Sequence, residues 1–66
     1  MKVGNLVRDL DNGDIGLVMS EVRSYEDYIR CGSYVMVLWP SNDGTPVEMD
    51  MTAIDKGYAE VISEGR

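Results

Sequence analysis

The sequence predicts a small all-β domain of five short strands, and three observations carry that prediction. Turn-forming clusters recur at close intervals: Asp11-Asn12-Gly13-Asp14, Cys31-Gly32-Ser33, Pro40-Ser41-Asn42-Asp43-Gly44 and Lys56-Gly57. Between them lie brief β-branched and apolar segments, the pattern of a small barrel or sandwich. The chain has 66 residues, 44% of them hydrophobic and 27% charged, which suits one folded domain (1–66) and not a disordered chain.

Strands are expected at residues 3–8, 15–23, 34–39, 46–51 and 58–63. The third is the clearest: Tyr34-Val35-Met36-Val37-Leu38-Trp39 is dense in strand formers and stops at Pro40, which has no N–H to give to a ladder. Ser41-Asn42-Asp43-Gly44 then turns the chain into a strictly alternating segment. There Val47, Met49 and Met51 point inward while Glu48 and Asp50 point to water. Asn12-Gly13 is a similar hairpin signal between the first two strands. Residues 51–55 are too few for a stable helix and suit one 3₁₀ turn ended by Lys56-Gly57. Residues 25–28 suit one helical turn within the long second loop.

A chain this short buries only about 60% of the surface it exposes when unfolded. With one cysteine, Cys31, and no histidine, neither a disulfide nor a zinc site can compensate. Barrel closure and self-association remain. A free cysteine suits a reducing compartment, the first residues lack the apolar stretch of a secretory signal, and no segment approaches the ~20 apolar residues of a membrane span. A cytoplasmic protein is expected. Its net charge of −6, with six basic residues scattered among twelve acidic ones, argues against direct binding to nucleic acid or anionic membrane and suits a basic protein partner.

The succession Val3-Gly4-x-Leu6-Val7, Gly13-x-Ile15-Gly16-x-Val18, Val35-x-Val37-x-Trp39, a Gly44 turn, an Ile54 turn and Glu60-Val61-Ile62 resembles that of SH3-like barrels. It is most similar to the small prokaryotic and bacteriophage kind, whose opening hairpin is like a KOW motif. The resemblance spans nearly the whole chain. It implies a five-stranded SH3-like barrel with one short 3₁₀ turn before the last strand, and a phage-encoded binding module. Two departures limit it. RNA-binding KOW loops are basic, whereas residues 9–14 here are acidic. Eukaryotic signalling SH3 domains open with an aromatic-rich motif and carry a tryptophan early in the third strand, whereas this chain has no aromatic before Tyr25 and ends that strand with Trp39.

Catalysis finds little support. Arg30 beside Cys31 favours a thiolate, but no histidine is present to serve as its base. Counted from Asp9 as a calcium loop, Gly13 is fifth and Ser20 twelfth, whereas an EF-hand needs glycine sixth and glutamate twelfth. No enzyme activity, cofactor or metal is expected.

Binding is better supported. The third strand is apolar on both faces, so with Val35 and Val37 in the core, Tyr34, Met36 and Leu38 form an outer stripe. The alternative is that the loop of residues 24–32 folds over that stripe. The loop itself carries Tyr25, Glu26, Asp27, Tyr28, Ile29 and Arg30, mixing interface-prone tyrosine and arginine with charge. Those tyrosines serve equally well as packing on a thin core. The sequence thus points to an acidic protein-interaction module: Tyr25, Tyr28, Tyr34, Met36 and Leu38 supply apolar contact, while Asp9, Asp11, Asp14, Glu26 and Asp27 steer a basic partner. A homo-oligomer pairing through the third strand or the outer stripe is the alternative. An acidic mimic of nucleic acid, using Asp9, Asp11, Asp14, Asp43, Glu48 and Asp50, is a third reading.

Overall fold

The turns set the topology. Asp43 and Gly44, at φ 47° and 81°, both occupy the left-handed region between Asn42 and Thr45, and the Thr45 N–H bonds back to the Asn42 carbonyl at 2.8 Å. Two such residues in succession twist a hairpin in the sense its strands need. Gly13, at φ 81°, closes the opening turn by donating to the Asp9 carbonyl at 2.8 Å.

The computed structural model describes residues 1–26 and 31–63. One antiparallel sheet contains β1 (Leu6–Asp9), β2 (Ile15–Val18), β3 (Arg23–Ser24), β4 (Ser33–Leu38), β5 (Val47–Asp50) and β6 (Ala59–Ser63), with α1 (Thr52–Asp55) before the last. Its order is β5-β4-β2-β1-β6, and β3 shares with β2 one edge of β4.

The all-β expectation holds, with corrections. Six strands replace five, because the expected second strand, 15–23, breaks in two. Leu17 and Val18 pair with Leu38 and Val37, whereas Arg23 and Ser24 pair with Tyr34 and Ser33. Ser20 explains the break. It is buried, and its hydroxyl accepts the Met36 N–H at 3.0 Å while donating to the Glu21 carbonyl at 2.9 Å. A side chain thus takes the place of a backbone acceptor where the chain leaves the ladder.

The first strand starts at Leu6 and not residue 3, since Gly4 at φ 93° sits in a turn closed by Asn5 N–H to the Lys2 carbonyl. The expected 3₁₀ turn is an α-helical one: Lys56 N–H reaches the Thr52 carbonyl four residues back, with three-residue bonds from Ile54 and Gly57 on either side. Nor is the sheet closed. Among the described residues β3, β5 and β6 each pair with one strand only; β5 and β6 do not pair with each other, and α1 links them.

Val7, Val18, Val35 and Val37 are fully buried, joined by Met49 and Ala59. Val35 and Val37 face inward as expected. Trp39, which alternation puts on the same strand face, is half-buried and lies across Gly16. A Cβ built on Gly16 would come within 2.5 Å of Val37 Cγ1 and 2.7 Å of the Trp39 ring. Only glycine leaves room for the indole there.

Two substitutions test this core. Gly16→Ala should cost about 1–3 kcal/mol through overpacking, read as a lower urea midpoint, and an unchanged midpoint would show that the ring is not held there. Ser20→Ala, which removes the acceptor of the half-buried Met36 N–H, should cost about 1 kcal/mol in the same measurement.

Candidate functional site

Where the sheet stays open, its inner wall is accessible. A groove of about 430 Å³ lies among Asp9, Asp11, Trp39, Met49, Tyr58 and Ala59, with Ala53 of α1 also lining it. Met49 and Ala59 belong to the two strands that a closed barrel would have joined, so the groove exists because closure fails.

Each wall is positioned locally. Asp9 ends β1 opposite Ala59. Its N–H donates to the Asp14 carbonyl and its Oδ1 accepts the Asp11 N–H, both at 2.8 Å. Asn12 Oδ1 likewise accepts the Asp14 N–H at 2.9 Å. These Asx turns spend short polar side chains on their own backbone and stiffen the acidic turn. Tyr58 is pinned from both sides: its N–H donates to the Ala53 carbonyl at 2.8 Å, and its carbonyl accepts the Leu10 N–H at 2.9 Å. Its backbone is therefore fixed while its side chain stays in water, 65% exposed. Among the described residues neither Asp9 nor Asp11 has an ion-pair partner, whereas Arg8 and Glu60 meet each other at 3.1 Å.

The expected site residues fall into separate places. Asp11 lines the groove, and Asp14 is half-buried in the same turn. Tyr34, Met36 and Leu38 are half-buried on the outer face of β4, four residues and roughly 13 Å from first to last. Tyr25 stacks on Tyr34 with ring centroids 4.9 Å apart, so the start of the 24–32 loop does cover that end of the stripe. Glu26 is exposed near this end; Asp27 and Tyr28 lie outside the described residues. The acids do not make one row either. Asp9, Asp11 and Asp14 share the β1–β2 turn, while Glu48 and Asp50 sit on β5, separated from β1 by two strands, β4 and β2.

Trp39 and Tyr58 were not among the expected contacts: alternation puts the first on the same strand face as Val35 and Val37, and the second opens the expected last strand. An aromatic straight after the Lys56-Gly57 turn, ahead of the alternating segment, was the available signal for Tyr58. Met49, Ala53 and Ala59 carried no signal, because only the fold brings them together.

Asp50 anchors the covered end. Its carboxyl is held below the ordinary 3.8 first by the Thr52 backbone N–H at 2.9 Å, then by the Thr52 hydroxyl and the Tyr25 hydroxyl. No group of three or more potential metal-ligating His, Cys, Asp or Glu side chains occurs among the described residues. Neither a protein-family model, nor a curated protein, nor a solved structure matches this chain.

The Asp50 geometry predicts an acid limb. Its stabilising effect is complete above the unfolded value of 3.8 and is lost as pH falls through the lower folded value. Asp50→Asn should therefore flatten the decline in stability that sets in as pH falls below 3.8 in thermal melts. Parallel wild-type and variant curves would remove Asp50 from that account.

Proposed function

We propose that this chain is an SH3-like barrel variant acting as a protein-interaction module, and that the open-seam groove receives an extended segment with apolar and basic side chains. The observation that carries the reading is the pairing of two aromatic walls, Trp39 and Tyr58, with two carboxylates that have no ion-pair partner among the described residues, Asp9 and Asp11. Aromatic faces and carboxylates both attract cations, and apolar floor residues such as Met49 and Ala53 suit aliphatic groups.

The strand order supports the barrel reading. β6 returns beside β1, and β4 carries β2 and β3 along one edge, so one strongly bent sheet wraps the valine core. The chain's net charge of −6 adds long-range attraction for a basic partner.

The reading differs from the sequence expectation in its contact residues. Asp11 keeps its role, and Trp39 and Tyr58 join it. Tyr25 and Tyr34 instead stabilise the fold through their stacked rings.

The test is titration of isotope-labelled protein with a short peptide alternating leucine and arginine. Amide shifts should concentrate at Trp39, Ala53, Tyr58 and Ala59. Tyr58→Ala should weaken binding by about 2 kcal/mol, or roughly 30-fold. Asp11→Asn should weaken it by up to about 1 kcal/mol, roughly fivefold, with lower salt sensitivity. Shifts confined to the outer face of β4 would defeat the proposal.

A further inference from the structure

We infer that the segment received by the open-seam groove binds as an added strand along β6, continuing the sheet and laying one long basic side chain across Ala59 toward Asp9. The inference deepens the groove reading and rests on it.

The ladder shows which backbone groups β6 offers. Leu10 N–H donates to the Tyr58 carbonyl, and the register sets Arg8 opposite Glu60, Asp9 opposite Ala59 and Val7 opposite Val61. Backbone groups in an antiparallel pair point alternately toward and away from the partner strand. Glu60 therefore turns its N–H and C=O to β1, while Ala59 and Val61 turn theirs the other way. Among the described residues no strand pairs with β6 on that side. Such a row of donors and acceptors is a template for an extended chain.

The side chains agree. Cross-strand partners share a face, so Val61, opposite the fully buried Val7, belongs to the inner face with Ala59 and Asp9. Yet Val61 is 41% exposed. Its β1 flank is covered and its other flank is open, where a neighbouring strand would cover it.

That combination selects β6 among the strands. Both edges of β4 are paired within the chain, so the third strand expected from the sequence has no edge to offer a second copy. β3 has only two residues. On β5 the inward Met49 is already buried, and two of the four residues are acids, which blunt an edge. β6 reads Ala-Glu-Val-Ile-Ser, without proline or lysine, and its one charge, Glu60, meets Arg8 at 3.1 Å.

Charge fixes the occupant. The residue of an added strand opposite Ala59 places its side chain on the inner face. Adjacent strands lie about 4.8 Å apart, so Asp9 stands roughly 10 Å from the new strand, with only the Ala59 methyl between them. The stem of a lysine or arginine lies across that methyl and carries its charge toward Asp9 and Asp11. Neither carboxylate has an ion-pair partner among the described residues. A second copy pairing through its own β6 brings no cation except the Arg8 already held by Glu60, and adds a further net charge of −6. The occupant is therefore a segment of a basic partner protein.

The test uses the full isotope-labelled chain and the same peptide alternating leucine and arginine. At saturation, hydrogen exchange of the Ala59 and Val61 amides should slow by about tenfold or more, and nuclear Overhauser contacts should join them to peptide backbone protons. Val61→Pro removes an N–H that β1 does not use. It should keep the far-ultraviolet spectrum and weaken the peptide about fivefold. If that variant does not fold, the wild-type exchange and contacts decide alone. Groove shifts without slowed exchange or backbone contacts would overturn strand addition and leave the groove reading standing, whereas absence of groove shifts would remove both. Slow exchange of both amides in the peptide-free protein, at a doubled mass in sedimentation, would give the edge to a second copy and also overturn the inference.

Discussion

The absence of a side chain at Gly16 is the constraint from which both surfaces follow. Because nothing projects inward there, the Trp39 indole lies across β2 against Val37. In that position the ring borders two concavities at once. On one side it walls the seam groove with Tyr58 and Asp9; on the other it borders the outer cleft with Leu6, Leu17 and Leu38. A residue with a Cβ at position 16 would push the indole away, altering both surfaces together. The half-buried state of Trp39 is therefore the geometric consequence of one ring serving as wall to two sites.

A second constraint is shortage of chain. Four fully buried valines, each contributing about 1.5 kcal/mol at the low end of the side-chain range, make a thin core for 66 residues. The fold compensates with local polar economy. Ser20 replaces a ladder acceptor, Asp9 and Asn12 satisfy their own turn, and Asp50 caps Thr52 while receiving the Tyr25 hydroxyl. What it does not do is close the sheet. α1 spans from β5 to β6 in a single turn, and Ala53 and Ala59 are too small to fill the space beside Met49. The unfilled volume is the groove.

Much of the fold was legible because alternation and turn chemistry are local signals. The inward set Val35, Val37 and Met49, the Asn42–Thr45 turn and the outer position of Met36 and Leu38 all follow from period two and from residues tolerant of positive φ. The errors came from interactions that local pattern does not encode. The break after Val18 depends on a hydroxyl meeting an amide sixteen residues away, and the open seam depends on how far one helical turn reaches. The outer face was half-read for a different reason. Ile15-Gly16-Leu17-Val18-Met19 is apolar on both faces, as the third strand is, and the same argument applied there would have found Leu17 and Met19.

The two surfaces differ in the physics of what each can hold, and that difference assigns them separate roles. The groove is narrow, aromatic and acidic, so its attraction for a ligand is concentrated in a few groups and extends into solution through charge. The outer face is aliphatic along its middle, at Leu6, Leu17 and Leu38, with Tyr34 at one end and Arg8, Glu48 and Asp50 at its flanks; the attraction of its apolar middle is proportional to area and acts only on contact. A basic segment gains little from the aliphatic middle of the second surface. Because Asp9 and Asp11 hang from the turn between β1 and β2, while Leu6 and Leu17 lie within those same strands, the two surfaces share a scaffold without sharing contact residues other than Trp39.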